Sequence, residues 1–196
     1  MDSLFVIGRD TVPGCFEALP GEPLRLTFVV LPGTSCAVET EILLARPGCE
    51  ADIAGLYLCD GDDRFSLKLN LRHDAGECRS RQLFKGMASG RSRAIFDGRV
   101  YVGHGAQKTS ALQENHSLLL GDDAFVESRP QLEIYADDVE CSHGATVGSL
   151  DEQQQFYMQS RGIPRDEALR LQKISFLSPV LGRLPETLFN EVITCL

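Results

Sequence analysis

Hydrophobic and polar residues alternate in short runs from Leu24 onward. Leu24, Leu26, Phe28 and Val30 form the first run; Val38, Thr40, Ile42 and Leu44 form the next. Ile53, Gly55 and Tyr57 follow, then Phe65, Leu67, Leu69 and Leu71. Successive side chains of a strand point to opposite faces, so this period of two predicts half-buried strands. Turn residues punctuate the runs at Pro32-Gly33, Pro47-Gly48, Asp60-Gly61-Asp62 and Ala75-Gly76. Further short runs are expected at Ser80–Phe84, Arg93–Phe96, Arg99–Val102, Ser117–Leu120, Leu132–Tyr135 and Ala145–Val147. They recur roughly every 12–15 residues, the strand-and-turn rhythm of an all-β chain. An antiparallel sandwich and a β-solenoid both produce such a rhythm, and periodicity alone leaves both open.

The pattern differs at the two ends. Residues 1–23 carry Pro13, Gly14, Pro20, Gly21 and Pro23, which predict a loosely structured lead-in. After Gly148 the chain becomes helix-favouring. Ser149 followed by Glu152 fits a capping box, and Gly162 is placed to stop the first helix. Pro164 opens a second helix, with Ala168, Leu171, Ile174 and Leu177 as its buried stripe, until Pro179 and Gly182 break or kink it. A last short amphipathic helix is expected from Pro185 to Leu196.

Composition narrows the functional classes. The 196 residues suffice for one domain with a substantial core, and 43% hydrophobic with 24% charged residues is ordinary for a globular chain. A formal net charge of -9 opposes binding to nucleic acid or to anionic lipid. No apolar run has membrane-spanning length, and the start, MDSLFVIGRD, lacks the basic and apolar regions of a signal peptide. Seven scattered cysteines without a Cys-x-x-Cys pair suit reduced thiols, so a cytoplasmic location is expected.

The candidate chemistry centres on Cys141 and His143. Two residues apart in a strand, their side chains share a face, and both types bind soft and borderline metals, iron included. The plainer readings are a histidine hydrogen-bonded at a turn before Gly144 and a cysteine serving as a small hydrophobe. The other six cysteines, His104 and His116 are read as structural. Adjacent Asp137 and Asp138 would point to opposite faces of a strand, so a solvated turn suits them better than paired acid–base work. Gly103-His104-Gly105 lacks the Lys-Ser/Thr of a phosphate loop.

Two long phrases carry a resemblance: AQKTSALQENHSLLL (residues 106–120) and RPQLEIYADDVECSHGATVGSLDEQQQFYMQSRGI (residues 129–163). Together they resemble the SufB/SufD family of iron–sulfur cluster assembly scaffold proteins, and its SufD side through Cys-Ser-His-Gly-Ala-Thr. The likeness is firmest from Ser80 to Gly162 and looser back to Leu24. It implies a mainly β chain: a right-handed parallel β-helix over residues 24–148, then a C-terminal helical segment over 149–196 able to cover the end of the solenoid. It also implies a non-enzymatic scaffold that pairs with a SufB-like protein through the β-helix and holds a SufC-like ABC ATPase at its helices. Self-pairing in isolation is compatible with this.

In the same resemblance, His143 lies at the interface with the SufB-like partner, with Cys141 beside it, as candidate ligands of iron or a nascent cluster. No cofactor is stably bound; the iron or cluster is transient. Lys108, Gln113 and Asn115 fall in the shared polar run and are expected beside the site or at solenoid turns. Tyr157, Arg161, Phe176 and Leu177 are core or docking positions. Family members are usually longer, with a helical domain and more β-helix before the part seen here, so a short form or one piece of a longer chain is expected. A β-helix carbohydrate-active enzyme or acyltransferase is the alternative; it requires a sugar groove or strict hexapeptide repeats.

Overall fold

The alternating runs become eleven strands. The structure is a computed structural model and describes residues 2–196. The strands are β1 (Asp2–Ile7), β2 (Cys15–Glu17), β3 (Leu24–Val30), β4 (Cys36–Leu44), β5 (Glu50–Cys59) and β6 (Arg64–His73), followed by β7 (Arg79–Ala88), β8 (Arg93–Val102), β9 (Thr109–Leu119), β10 (Phe125–Ile134) and β11 (Val139–Gly148). Odd strands form a six-stranded sheet in the order β1-β3-β5-β7-β9-β11; even strands form a five-stranded sheet in the order β10-β8-β6-β4-β2. Every pairing between neighbours is parallel. Each coil therefore contributes one strand to each sheet, and the fold is a flattened parallel β-helix.

Glu50 lies beside Arg79, Arg79 beside Ser110, and Ser110 beside Glu140, so a coil takes 29, 31 or 30 residues. The spacing of runs in the sequence is half a coil.

Period two sorts side chains into an inner and an outer row. The inner rows close the solenoid core, with Leu26, Phe28, Ile42, Ile53, Tyr57, Leu69 and Phe96 nearly fully buried. Where a large ring crosses the lumen, the neighbouring coil yields space. Gly86 sits between Tyr57 and Ser117, and a Cβ there would lie 1.8 Å from the Tyr57 ring. At the coil corners the chain turns through left-handed backbone at Gly33, Gly48 and Gly61, as the Pro-Gly and Asp-Gly signals required. Asp63 ties successive corners by accepting from the backbone N–H of Gly33 at 2.9 Å and of Asp60 at 3.0 Å.

Three helices follow: α1 (Glu152–Ser160), α2 (Arg165–Leu181) and α3 (Glu186–Thr194). The tail does not cover the end of the solenoid. It lies along the outer face of the six-stranded sheet, where Leu177, Val180, Leu181, Leu188 and Val192 join Val29, Ala54, Leu56, Leu83, Met87 and Leu118 in a second core. That part of the outer face is apolar, unlike an ordinary solvent face, and burying it is what fixes the tail. Arg183 donates to Asp52 at 2.8 Å, and Arg9 pairs with Glu191, clasping tail to sheet.

Several expectations are corrected. Apart from Met1, which lies outside the described residues, the lead-in is not loose. β1 pairs with β3 and sends Phe5 and Ile7 toward the core, while its prolines and glycines occupy the turns around β1 and β2. Arg93–Phe96 and Arg99–Val102 are one strand, β8, running through Gly98. The Gln113 amide and the Phe96 ring occupy the space a side chain would need there. β9 starts at Thr109 rather than at Ser117: its inner-row Thr109, Gln113, Asn115 and Ser117 are polar, which hides the alternation in the sequence. The first helix is capped by Asp151, not Ser149; its carboxylate accepts from Gln153 N at 2.8 Å and Gln154 N at 3.1 Å. Pro179 lies inside α2 without ending it, since Val180 and Leu181 continue the buried stripe; Gly182 is the C-cap. Leu171 is exposed, and Gln172 is buried instead, donating to Asp151 O at 2.9 Å.

Candidate functional site

β11 places both candidate ligands. It is the last strand of the six-stranded sheet, in register with β9, so that Cys141 lies beside Ala111 and His143 beside Gln113. Ala111 and Gln113 belong to the inner row of the preceding coil and are buried. In-register parallel strands keep like faces together, so Cys141 and His143 continue that inner row. The expected shared face is therefore present, on the lumen side of the final coil.

The two residues differ in environment because, among the described residues, no further coil stacks on β11 or on β10, the last strand of the other sheet. Cys141 still packs against the core from its margin, as do Val126, Leu132 and Val139. That partial burial pushes its thiol above the ordinary value, so it is protonated at neutral pH and must lose its proton to bind a metal. His143 is exposed, and among the described residues no hydrogen bond or ion pair holds it. On the inner rows of the same last coil, Ile134 and Val147 are 40% and 45% exposed.

Below this end the lumen is polar. Gln113 Nε2 donates to Gln82 Oε1 at 3.1 Å, Asn115 Nδ2 to Ser128 Oγ at 3.0 Å, and Tyr57 shares a hydrogen bond with Ser117 at 2.5 Å. Burial raises the Tyr57 hydroxyl well above its usual value. Gln82 is one site residue the sequence reading did not single out. Its signal was its distance from Gln113, one coil length, which shows only when the repeat is read as a full coil rather than a strand.

The remaining candidates do not join the pair. Lys108 stands at a coil corner with left-handed backbone, stacked on Glu77 and 3.8 Å from its carboxylate. His104 rests against the Tyr135 ring. His116 lies 2.8 Å from Thr146 Oγ1 and 3.8 Å from Glu114, its pKa lowered by burial and by Lys85. His73 is sealed in the lumen, 2.9 Å from Ser80 Oγ, while the Cys78 thiol donates to backbone carbonyls of Arg46 and Gly76. Asp137 and Asp138 form an exposed turn. Cys49, Cys59 and Cys78 are buried as expected, but Cys15 and Cys195 are exposed. Leu177 is core, Phe176 carries the Lys85 ammonium over its ring, and Tyr157 is 59% exposed under the Arg161 guanidinium.

Among the described residues, no three His, Cys, Asp or Glu side chains converge as a metal site. None of the helices is long and apolar enough to cross a membrane.

Comparison with known proteins bears on the same region. The family model described as "SUF system FeS cluster assembly, SufBD core domain" matches residues 24–176. The chain is 50% identical over 101 residues to the iron-sulfur cluster assembly protein SufD of Escherichia coli, covering 52% of this chain and 24% of that protein. It is 42% identical over 100 residues to SufD of Bacillus subtilis, covering 51% and 23%. With the chloroplastic protein ABCI7 of Arabidopsis thaliana it shares 41% identity over 142 residues, covering 71% and 30%. The chain thus spans about a quarter to a third of the length of these relatives.

Proposed function

Because this chain belongs to the SufBD core family of the SUF iron–sulfur cluster assembly system, we propose that it acts there as a SufD-like scaffold. It pairs through the open end of its β-helix with a SufB-like protein, and its helical tail receives a SufC-like ABC ATPase. The iron–sulfur cluster is cargo, built at the seam and passed on. ATP hydrolysis belongs to the SufC-like subunit, whose dimerisation shifts the pair and opens the seam to iron and sulfide. The work is done in the cytoplasm, and this chain performs no turnover of its own.

One observation carries the reading: His143 is exposed on the inner row of a coil on which no strand of the described residues stacks. An iron site takes about four ligands. His143 and Cys141 supply at most two, so a partner docked on this end has to bring the rest. The edge strands support such docking. β10 contains Pro130, whose missing N–H blunts that edge, whereas β11 is a ten-residue edge without proline. The exposed apolar side chains at this end give the partner area to bury.

The test is reconstitution of the three-component complex with ferrous iron, a sulfide source and a reductant. His143→Ala is expected to leave folding and complex recovery intact and to lower cluster formation at least about tenfold, the scale of losing one metal ligand or its close support. Undiminished cluster formation in a fully assembled His143→Ala complex would overturn the role.

A further inference from the structure

The inner row that ends at His143 changes character along the solenoid. In-register neighbours run Leu26, Ile53, Gln82, Gln113, His143, from apolar to polar toward the open end. Gln82 and Gln113 are both fully buried. A buried amide is costly unless its groups are bonded, yet the pair makes a single bond within the row, from Gln113 Nε2 to Gln82 Oε1. Two atoms remain unpartnered: Gln82 Nε2 and Gln113 Oε1. The ladder therefore has a direction. Each donor faces the coil before it, and each acceptor is left for the coil after it. Before Gln82 stands Ile53, which accepts nothing. After Gln113 stands His143, whose ring always has an N–H to give.

Neighbouring parallel strands lie about 4.8 Å apart; the structure holds no Gln113–His143 hydrogen bond, and it takes a turn of the exposed His143 side chain over the row to bring an N–H to that amide. Gln113 cannot retreat across the lumen freely. Its Nε2 already fills the space over Gly98, where a Cβ would come within 2.4 Å of it.

We propose that Gln113, braced by Gln82, is a positioning residue for His143: its buried Oε1 accepts one imidazole N–H and so selects the tautomer that turns the other nitrogen's lone pair out of the open end. This rests on the scaffold reading only for its purpose. The same arrangement serves metal-binding histidines generally, where the non-ligating N–H is held by an acceptor and the ligating nitrogen is thereby aimed. Exposure of the ring toward the seam and burial of the acceptor beneath it make this end of the row a prepared half-site.

The experiment is side-chain nitrogen NMR of the histidine-labelled chain, with His143 assigned by His143→Ala. In the unaltered chain at alkaline pH, His143 is expected as essentially one neutral tautomer. Gln113→Met removes the acceptor at similar volume and should shift the tautomer ratio about fivefold, the effect of one net hydrogen bond. Gln82→Leu extends the Leu26–Ile53 row, frees the Gln113 amide to turn over, and should move the ratio the same way. Circular dichroism checks folding, and the second variant serves if the first does not fold. In the reconstituted complex, Gln113→Met should reduce cluster yield at limiting iron about tenfold. A His143 tautomer ratio unchanged in the folded variants overturns the positioning role, even if His143→Ala abolishes assembly. A ratio that shifts while His143→Ala assembles normally upholds the positioning and removes the scaffold site instead.

Discussion

At the scale of the residue, the lumen makes ionisation and volume expensive together. His73 is fully buried on the inner row, its ring bonded to Ser80 and its Nδ1 unpartnered. Burial lowers its pKa to about 4, with Asp74 opposing weakly. The folded state therefore holds the neutral ring, while the unfolded chain takes up a proton near pH 6.5. Stability from this residue is complete above about pH 6.5 and is lost as pH falls from there toward 4, by at most about 3 kcal/mol. Urea unfolding at stepped pH should show this slope, and His73→Gln should flatten it over that window. An unchanged slope would assign the acid sensitivity to other groups. Tyr57 over Gly86 is the same economy in volume, since the ring exists only because its neighbour has no side chain.

At the scale of the element, strands and helices depend on each other through one sheet face. The six-stranded sheet carries apolar side chains on both faces, and the apolar part of its outer face is covered by α2 and α3. Leu177 is fully buried at the centre of that contact. Leu177→Ala should cost about 2–5 kcal/mol, the usual cost of a buried leucine truncation that leaves a cavity, read as a lower urea midpoint in a single transition. A second, early transition would mean that the tail unfolds independently of the solenoid. Removing the tail altogether is a poor probe of ATPase docking, because it uncovers this face. α1 offers the cleaner surface: none of its residues is buried, and Phe156 is 75% exposed beside Tyr157.

For the whole molecule, the open end decides what the chain can join. β10 and β11 close their sheets without a further strand, and the helices lie to one side. Val147, on β11, is 45% exposed at this end. Val147→Lys places a charge where a docked β-helix would bury apolar surface, and edge lysines oppose strand addition. The variant should keep its thermal midpoint and lose about tenfold in affinity for the SufB-like partner, equivalent to roughly 1.4 kcal/mol. Co-purification and calorimetry would measure it. Unaltered affinity would move the seam to another face.

Strand periodicity, turn chemistry and the switch to helix at Gly148 were all legible in the residues, because each is a local preference written at fixed spacing: two for a strand, Pro-Gly or Asp-Gly at a corner, acidic residues at a helix start; which residue caps the helix, Asp151 and not Ser149, was not. The family likeness turned that rhythm into a β-helix. The rows that ran polar were not legible. Thr109, Gln113 and Asn115 look like surface and are lumen, since a solenoid interior tolerates amides that bond from coil to coil. Nor could alternation say which of its two faces is inner, or that the tail lies on a side rather than an end. Those choices depend on residues about thirty positions apart being brought into register. Only the folded chain makes that comparison, and it alone set Gln82, Gln113 and His143 in one line.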